Sequence, residues 1–220
     1  MKENGNQPAA AVTAWLENIG NYRFVTSNRH KIDELKTIKW PLGIEQGLDL
    51  PEIDGPPVDI AIYKAIAAGA GRIVEDSILL IDGKEVVDIK WSYRKVLGAI
   101  LSDGQPHEIV WQSTMGLNDG ERIFIFETQT ECDLVSNPDT SLPNAIAFDP
   151  YLRPSGVELS FHELRGTGER EIFNPRSRNA RKLLIGEHTL VRPINEVPEW
   201  NGAYQSASPE GKPVGSEKAF

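Results

Sequence analysis

The chain predicts an α/β protein built on a mixed sheet, and three observations carry that prediction. Strand-like apolar runs alternate with helical periodicity up to about residue 101, two long strand-like runs then flank a strong turn signal, and 40% of the 220 residues are hydrophobic. Strands interleaved with helices call for a helix-covered sheet, and a later hairpin adds antiparallel strands to it.

Residues 1–20 (MKENGNQPAAAVTAWLENIG) are a polar lead-in whose Ala-Trp-Leu portion can form a short helix, and no chemistry is assigned to them. Tyr22 to Thr26 (YRFVT), aromatic and β-branched, predicts a buried strand that turns at Ser27-Asn28-Arg29 into a helix starting near His30. LGIEQGLDLPEIDGPP reads as strand and loop, closed by Gly55-Pro56-Pro57, and a helix follows from Val58 to about Ala70 with Ile62 and Ile66 facing the core. Arg72 to Ile81 (RIVEDSILLI) is an apolar strand broken by Glu75-Asp76-Ser77. That break calls for an explanation, because polar groups buried unpaired cost roughly 1–3 kcal/mol each.

From Ile89 to Leu101 the residues Ile89, Tyr93, Val96, Leu97, Ile100 and Leu101 share one helical face. Glu108 to Met115 and Arg122 to Val135 predict an antiparallel hairpin across Leu117-Asn118-Asp119-Gly120. Gly156 to Leu164 is assigned a further short strand, and the stretch from Arg176 to near Gly186 a short basic helix. The organisation expected is an extension at 1–20, one domain over 21–188, and a polar, Pro-rich tail over 189–220, with roughly its last 20 residues mobile.

Bulk properties narrow the function. A formal charge of −9 argues against a broad grip on DNA or RNA, which rests on many Lys and Arg neutralising phosphates. A small phosphorylated ligand stays open, provided a metal ion and a few local cations offset the charge inside a cleft. The single Cys132 permits no intrachain disulfide and reads as a small core residue, and no apolar run reaches the ~20 residues of a membrane helix. A cytoplasmic protein is therefore expected.

Four constellations can carry chemistry. Thr26-x-Asn28-x-x-Lys31-x-x-Glu34 lies where a strand passes into a helix, so Thr and Asn either cap the helix or, with the helix dipole and Lys31, hold a phosphate. Glu52 with Glu75-Asp76-Ser77 offers carboxylate oxygens of the kind hard divalent cations take, with Asp76 or Glu75 also orienting an attacking water. Lys64 and the cluster Arg176, Arg178, Arg181 and Lys182 supply the positive charge a polyphosphate needs, unless they merely face water. Phe148-Asp149-Pro150 sets an aromatic that can stack on a base beside a carboxylate that can accept from base N–H groups, although such a triplet also serves as ordinary turn packing.

In this order, FVTSNRHKIDEL, LPEIDG, VEDSILLIDG, IKWSYRKVL and AFDPYLRPSG resemble the motifs of the inosine triphosphate pyrophosphatase family, enzymes that remove non-canonical purine nucleoside triphosphates. The resemblance covers roughly residues 22–186. It implies an elongated α/β fold in which two lobes flank a central cleft, a long mixed sheet, and a homodimer. It also implies a nucleoside triphosphate substrate, cleaved to monophosphate and pyrophosphate with magnesium or manganese. Carried over by position, Thr26, Asn28, Lys31 and Lys64 would hold phosphates, Glu52 and Asp76 the metal, and Asp76 or Glu75 would activate water. Phe148 and Asp149 would lie beside the base.

The departures from the family pattern fall on the base side. Ile146 and Ala147 stand where the family has the Phe and second Gly of Gly-Phe-Gly-aromatic-Asp-Pro, and Pro175-Arg176-Ser177 stands where it has Ser-His-Arg. A family lysine near Arg170 and Glu171 is also lost, which leaves Arg176 or Arg178 to take the base-reading role. This split points to retained phosphoanhydride chemistry with altered nucleobase choice. The alternative is a nucleotide-binding or partner-binding protein that has lost catalysis. A third class, a simple phosphate-ester hydrolase, would release orthophosphate instead.

Overall fold

Three long antiparallel strands carry the rest of the molecule: β3 (Arg72–Ile81), β5 (Ile109–Asn118) and β6 (Arg122–Leu134). The computed structural model of the chain describes residues 15–47, 50–86, 89–139 and 148–205. At one end β1 (Arg23–Thr26) lies parallel to both β3 and β2 (Gly43–Gln46). At the other end β4 (Lys84–Glu85) folds back on β3. The outer edge of β6 is shared by β7 (Leu152–Pro154) and β8 (Leu190–Pro193). The result is an eight-stranded mixed sheet in the order β2-β1-β3-β5-β6-β7, as the α/β reading expects.

Helices cover both faces. They are α1 (Arg29–Thr37), α2 (Pro57–Ala68), α3 (Ile89–Asp103), α4 (Phe161–Thr167), α5 (Arg170–Phe173) and α6 (Pro175–Leu184). One cluster packs Leu35 of α1 and Leu183 of α6 against Phe24, Ile73, Met115 and Phe126. A second, on the opposite face, sets Ala61, Ile62, Ala65 and Ala68 of α2 on Val74, Ile123 and Ile125. The third lies toward the far end, where Leu97 of α3 meets Leu79, Trp111, Leu152, Phe161 and Cys132. Burial pushes the Cys132 thiol up to about 12, so it behaves as a small core residue. Among the described residues no helix is long and apolar enough to cross a membrane.

The structure departs from the sequence reading in three places and extends it in a fourth. The hairpin strand β5 runs on through Gly116, Leu117 and Asn118, because buried Asn118 donates to the Ala65 carbonyl of α2 (3.0 Å) and accepts from Gly120 N–H (2.8 Å). Gly156 to Leu164 is not a strand: Ser160 and Glu163 form a capping box that starts α4. The short helix expected in the lead-in is present at residues 15–19, and it also contributes buried Ile19 and the Trp15 ring to the core, with Trp15 edge-on to Phe124. The stretch expected as a tail supplies β8, a 3₁₀ turn at Ile194–Glu196, and ordered chain to residue 205. The last residues of that tail, 206–220, lie outside the described residues, as do the base-side departures at Ile146 and Ala147.

One close approach fixes α2 on the sheet. A Cβ added at Gly116 of β5 would stand 2.7 Å from the Ala61 carbonyl oxygen and 3.1 Å from the Ala65 Cβ. Gly116→Ala is therefore expected to destabilise the fold by about 1–3 kcal/mol, read as a lowered urea midpoint with unchanged slope. An unchanged midpoint would mean that α2 does not sit this tightly on β5.

Candidate active site

The strand order creates the site. From β1 the chain passes through α1 to β2 on one side and then through α2 to β3 on the other, so a crevice opens beyond the carboxyl end of β1. β1 pairs with β3 only at Arg72 and Ile73, and β4 only at Leu80 and Ile81. Among the described residues no strand pairs with this edge of β3 between them. Backbone groups left there need partners, and Lys31 Nζ donates to the Glu75 carbonyl oxygen at 2.8 Å.

Neighbouring residues on a strand point to opposite faces, so Glu75 and Asp76 separate. Asp76 points to the α2 side, where Lys64 Nζ lies 4.0 Å from its Oδ1 and also hydrogen-bonds Glu52 Oε1. One ammonium thus faces both carboxylates. Burial opposes the charge on Lys64, but Asp76 and Glu52 outweigh it and hold its pKa above the ordinary lysine value. Burial also lifts Asp76 above the usual aspartate range, against the pull of Lys64 and Lys31 and with a further push from Glu52 and Glu75. Glu85 on β4 is raised by burial, then by Asp76 and Asp54. The local field is one that a cation would relieve.

Glu75 points to the α1 and α6 side and is surrounded by donors. Its Oε1 accepts from the hydroxyls of Ser77 and Ser113, the latter at 2.8 Å, and its Oε2 lies 2.8 Å from Lys31 Nζ and 3.1 Å from Arg176 Nε. Arg176 also pairs with Glu34 and donates to Ser77 Oγ at 2.9 Å. Glu34 Oε1 in turn meets Arg170 Nη1 at 2.7 Å. Arg170 grips Asp149 with two bonds of 2.9 and 3.0 Å, and Arg165 reaches the same carboxylate at 3.2 Å. Lys31, Glu75, Arg176, Glu34, Arg170, Asp149 and Arg165 therefore form a ladder of alternating charge running from α1 to α4. Burial draws Arg176 down to about 9, which still leaves it cationic near neutrality.

The placement of the sequence candidates follows from these two faces. Glu52, Lys64 and Asp76 come together, and Lys31 stands at the same strand edge. Asn28 is the N-cap of α1, accepting from His30 N–H at 2.9 Å, while the Thr26 hydroxyl accepts from Asn28 N–H at 3.1 Å. Phe148 packs edge-on to Trp111 with centroids 5.2 Å apart, and Asp149 is buried in the ladder. Arg176 lies in the ladder too. Arg178 turns to β6 instead, donating to the Gln129 carbonyl at 2.8 Å. Arg181 is exposed, and Lys182 donates to the Glu127 carbonyl at 3.3 Å.

The sequence reading assigned no role to Arg165, Ser113 or Asn179, whose amide donates to the Ser113 carbonyl at 2.6 Å. A signal for them existed. Gln112-Ser113-Thr114 is a second polar triplet inside a fully buried strand, and it pairs across the sheet with Asp76, Ser77 and Ile78.

Two carboxylates are a sufficient protein contribution for magnesium, which keeps several waters and takes one or two acids plus substrate phosphates. Glu52 and Asp76 fit that requirement, since both face one cation already. Among the described residues no group of three or more His, Cys, Asp or Glu gathers as a closed metal cage. A recess lined by Arg29, Ile32, Asp33, Lys36 and Gln46 contains neither carboxylate.

A crevice at the switch point of an open α/β sheet, edged by lysines and paired acids, is where α/β proteins of this class bind ligands. Residues 22–185 match the model of the Ham1 family, and the chain belongs to that family, the inosine triphosphate pyrophosphatase family its motifs resemble. It is 28% identical over 178 residues to a dITP/XTP pyrophosphatase of Methanothermobacter marburgensis, an alignment spanning 73% of this chain and 92% of that relative.

Two stability effects follow. Arg170→Ala leaves the buried carboxylates of Asp149 and Glu34 with one cationic partner each and is expected to cost about 3–5 kcal/mol in denaturant unfolding, whereas a loss under about 1 kcal/mol would show that the ladder is not a unit. For Asp76 the folded pKa is raised, so the folded form holds its proton where the unfolded chain has released it. The metal-free protein then loses stability as pH rises from 3.8 through the folded pKa. Asp76→Asn is expected to raise the melting temperature at pH 7 in chelator, with the gain fading as pH falls toward 3.8. A lower melting temperature at pH 7 would contradict the raised pKa.

Proposed function

We propose that the protein hydrolyses a nucleoside triphosphate to nucleoside monophosphate and pyrophosphate, with a non-canonical or modified base as the preferred substrate class. The observation that carries this reading is the meeting of Glu52 and Asp76 on Lys64 at the unpaired edge of β3. Family membership and the dITP/XTP pyrophosphatase relative support it. The lone, buried Cys132 needs no oxidising surroundings, and the cytoplasm is the compartment proposed.

Lys31 and Lys64 attract the phosphate oxygens, and the first N–H groups of α1 add the positive end of its dipole. Asp76 takes the proton of a water that attacks the α-phosphorus. The bond from that phosphorus to the bridging oxygen breaks, and pyrophosphate departs with the electron pair. The raised pKa of Asp76 suits a proton acceptor, whereas Glu75, with two hydroxyls on one oxygen and two cations beside the other, suits an anchor for Lys31. Magnesium or manganese held by Glu52 and Asp76 would neutralise charge building on the triphosphate oxygens.

One observation favours a second reading, a nucleotide binder without turnover. Asp149 and Arg176, the residues expected beside the base, are both engaged in buried ion pairs. A panel of nucleoside triphosphates, including inosine, xanthosine and modified pyrimidine forms, separates the two. Magnesium-dependent release of pyrophosphate is expected, and Asp76→Asn should lower kcat by about 10²–10⁴-fold. Saturable binding by calorimetry with no pyrophosphate from any member would establish the second reading, and orthophosphate as the product would overturn both.

A further inference from the structure

Glu52 sits on irregular chain between β2 and α2, yet a metal ligand must be held still to bind well. The chain beyond β8 supplies a restraint. Asp54 N–H donates to the Ala203 carbonyl and Gln205 N–H to the Glu52 carbonyl, both at 2.9 Å, which makes an antiparallel bridge between Ile53 and Tyr204. The Gln205 amide adds a bond to the Ile53 carbonyl at 3.2 Å. Ile53 itself is fully buried, so the bridge fixes a segment already anchored on one side.

Trp200 ties this bridge to α2. Its ring stands edge-on to Tyr63 with centroids 5.4 Å apart, and the Tyr63 hydroxyl donates to the Pro198 carbonyl at 2.8 Å. Trp200 Nε1 donates to the Ala203 carbonyl at 2.9 Å, so one oxygen accepts from both the indole and the backbone of the Glu52 segment. Tyr63 directly precedes Lys64, the residue that pairs with Glu52. Both partners of that ion pair are thus held by one short stretch of chain. The stretch lies beyond residues 22–185, the part that matches the family model.

We propose that residues 198–205 are a strap that positions Glu52 for the divalent cation, with Trp200 and Gln205 as its positioning residues. The inference rests on the reading of Glu52 as a metal ligand. Trp200→Ala removes the anchor on α2. Gln205→Pro removes the N–H that donates to the Glu52 carbonyl, and an extended Tyr204 already satisfies the restraint a proline places on the residue before it. Gln205→Ala keeps that N–H and removes only the side-chain bond.

The test is calorimetric titration of the full-length, metal-free protein with Mn²⁺, no nucleotide present, alongside kcat at saturating Mn²⁺. Glu52→Gln is the reference for losing the ligand, and Val191→Ala on β8 controls for loss of stability away from the strap. Trp200→Ala and Gln205→Pro are expected to weaken Mn²⁺ binding about 10-fold with kcat retained at saturation, Gln205→Ala to weaken it less, and Val191→Ala to leave it unchanged. Parent-like affinity in Trp200→Ala and Gln205→Pro, with Glu52→Gln impaired, overturns the strap while the metal reading stands. Equal weakening in Val191→Ala also overturns it. Parent-like affinity in Glu52→Gln overturns the metal reading and the strap together.

Discussion

The edge of β3 that no described strand covers between β1 and β4 is the constraint from which the site follows. A strand in the middle of a sheet normally has both edges satisfied, and its side chains then meet only helices above and below. Here β1 stops after two pairings and β4 begins only at the far end, so the middle of β3 presents backbone to a crevice. Lys31 answers the exposed Glu75 carbonyl, and the strand's alternation sends Glu75 to one face and Asp76 to the other. Around the first gathers a ladder of buried charge, and around the second an acid pair facing one lysine.

These two gatherings differ in what their surroundings demand. Each carboxylate of the ladder has cationic partners on more than one side, and seven side chains from four helices, one strand and a turn are locked by it. Removing one partner from such a network is costly because the charge left behind stays buried. On the Asp76 side two acids face one lysine instead, and burial first, with neighbouring acids adding to it, raises both Asp76 and Glu85. One face is locked by buried ion pairs, and the chemistry we propose belongs to the other. Arg176, one of the two arginines expected from the family pattern to lie beside the base, is in this geometry part of the buried ladder.

Much of this was legible in the chain. Arg72 to Ile81 reads as a strand at its actual limits, because an apolar run between glycine and a Asp-Gly turn permits little else. The polar break within it correctly marked a place needing partners. Grouping Glu75 with Asp76 as one acidic pair was less informative, since adjacency in a strand means opposite faces. Asn118 carried the hairpin strand further than its turn chemistry suggested, because its partner is a helix carbonyl more than fifty residues away. The Pro-rich stretch after residue 188 misled for a related reason. Beyond β8 its apolar residues Ile194, Val197 and Trp200 show no periodicity, and their partners lie on α2 and its cluster, so no local pattern announces them.

The pairing of β3 with β5 has a consequence of its own. A shift of β3 by one position against β5 would exchange the two faces of β3, carrying Asp76 into the space of the ladder and Glu75 toward Lys64. Both acids would still be present, and the strands would still bond, but neither would meet its cations. Insertion or deletion of a single residue upstream of Glu75 in this strand therefore parts both acids from their partners at once, so the length of β3 matters as much as the identity of the acids on it.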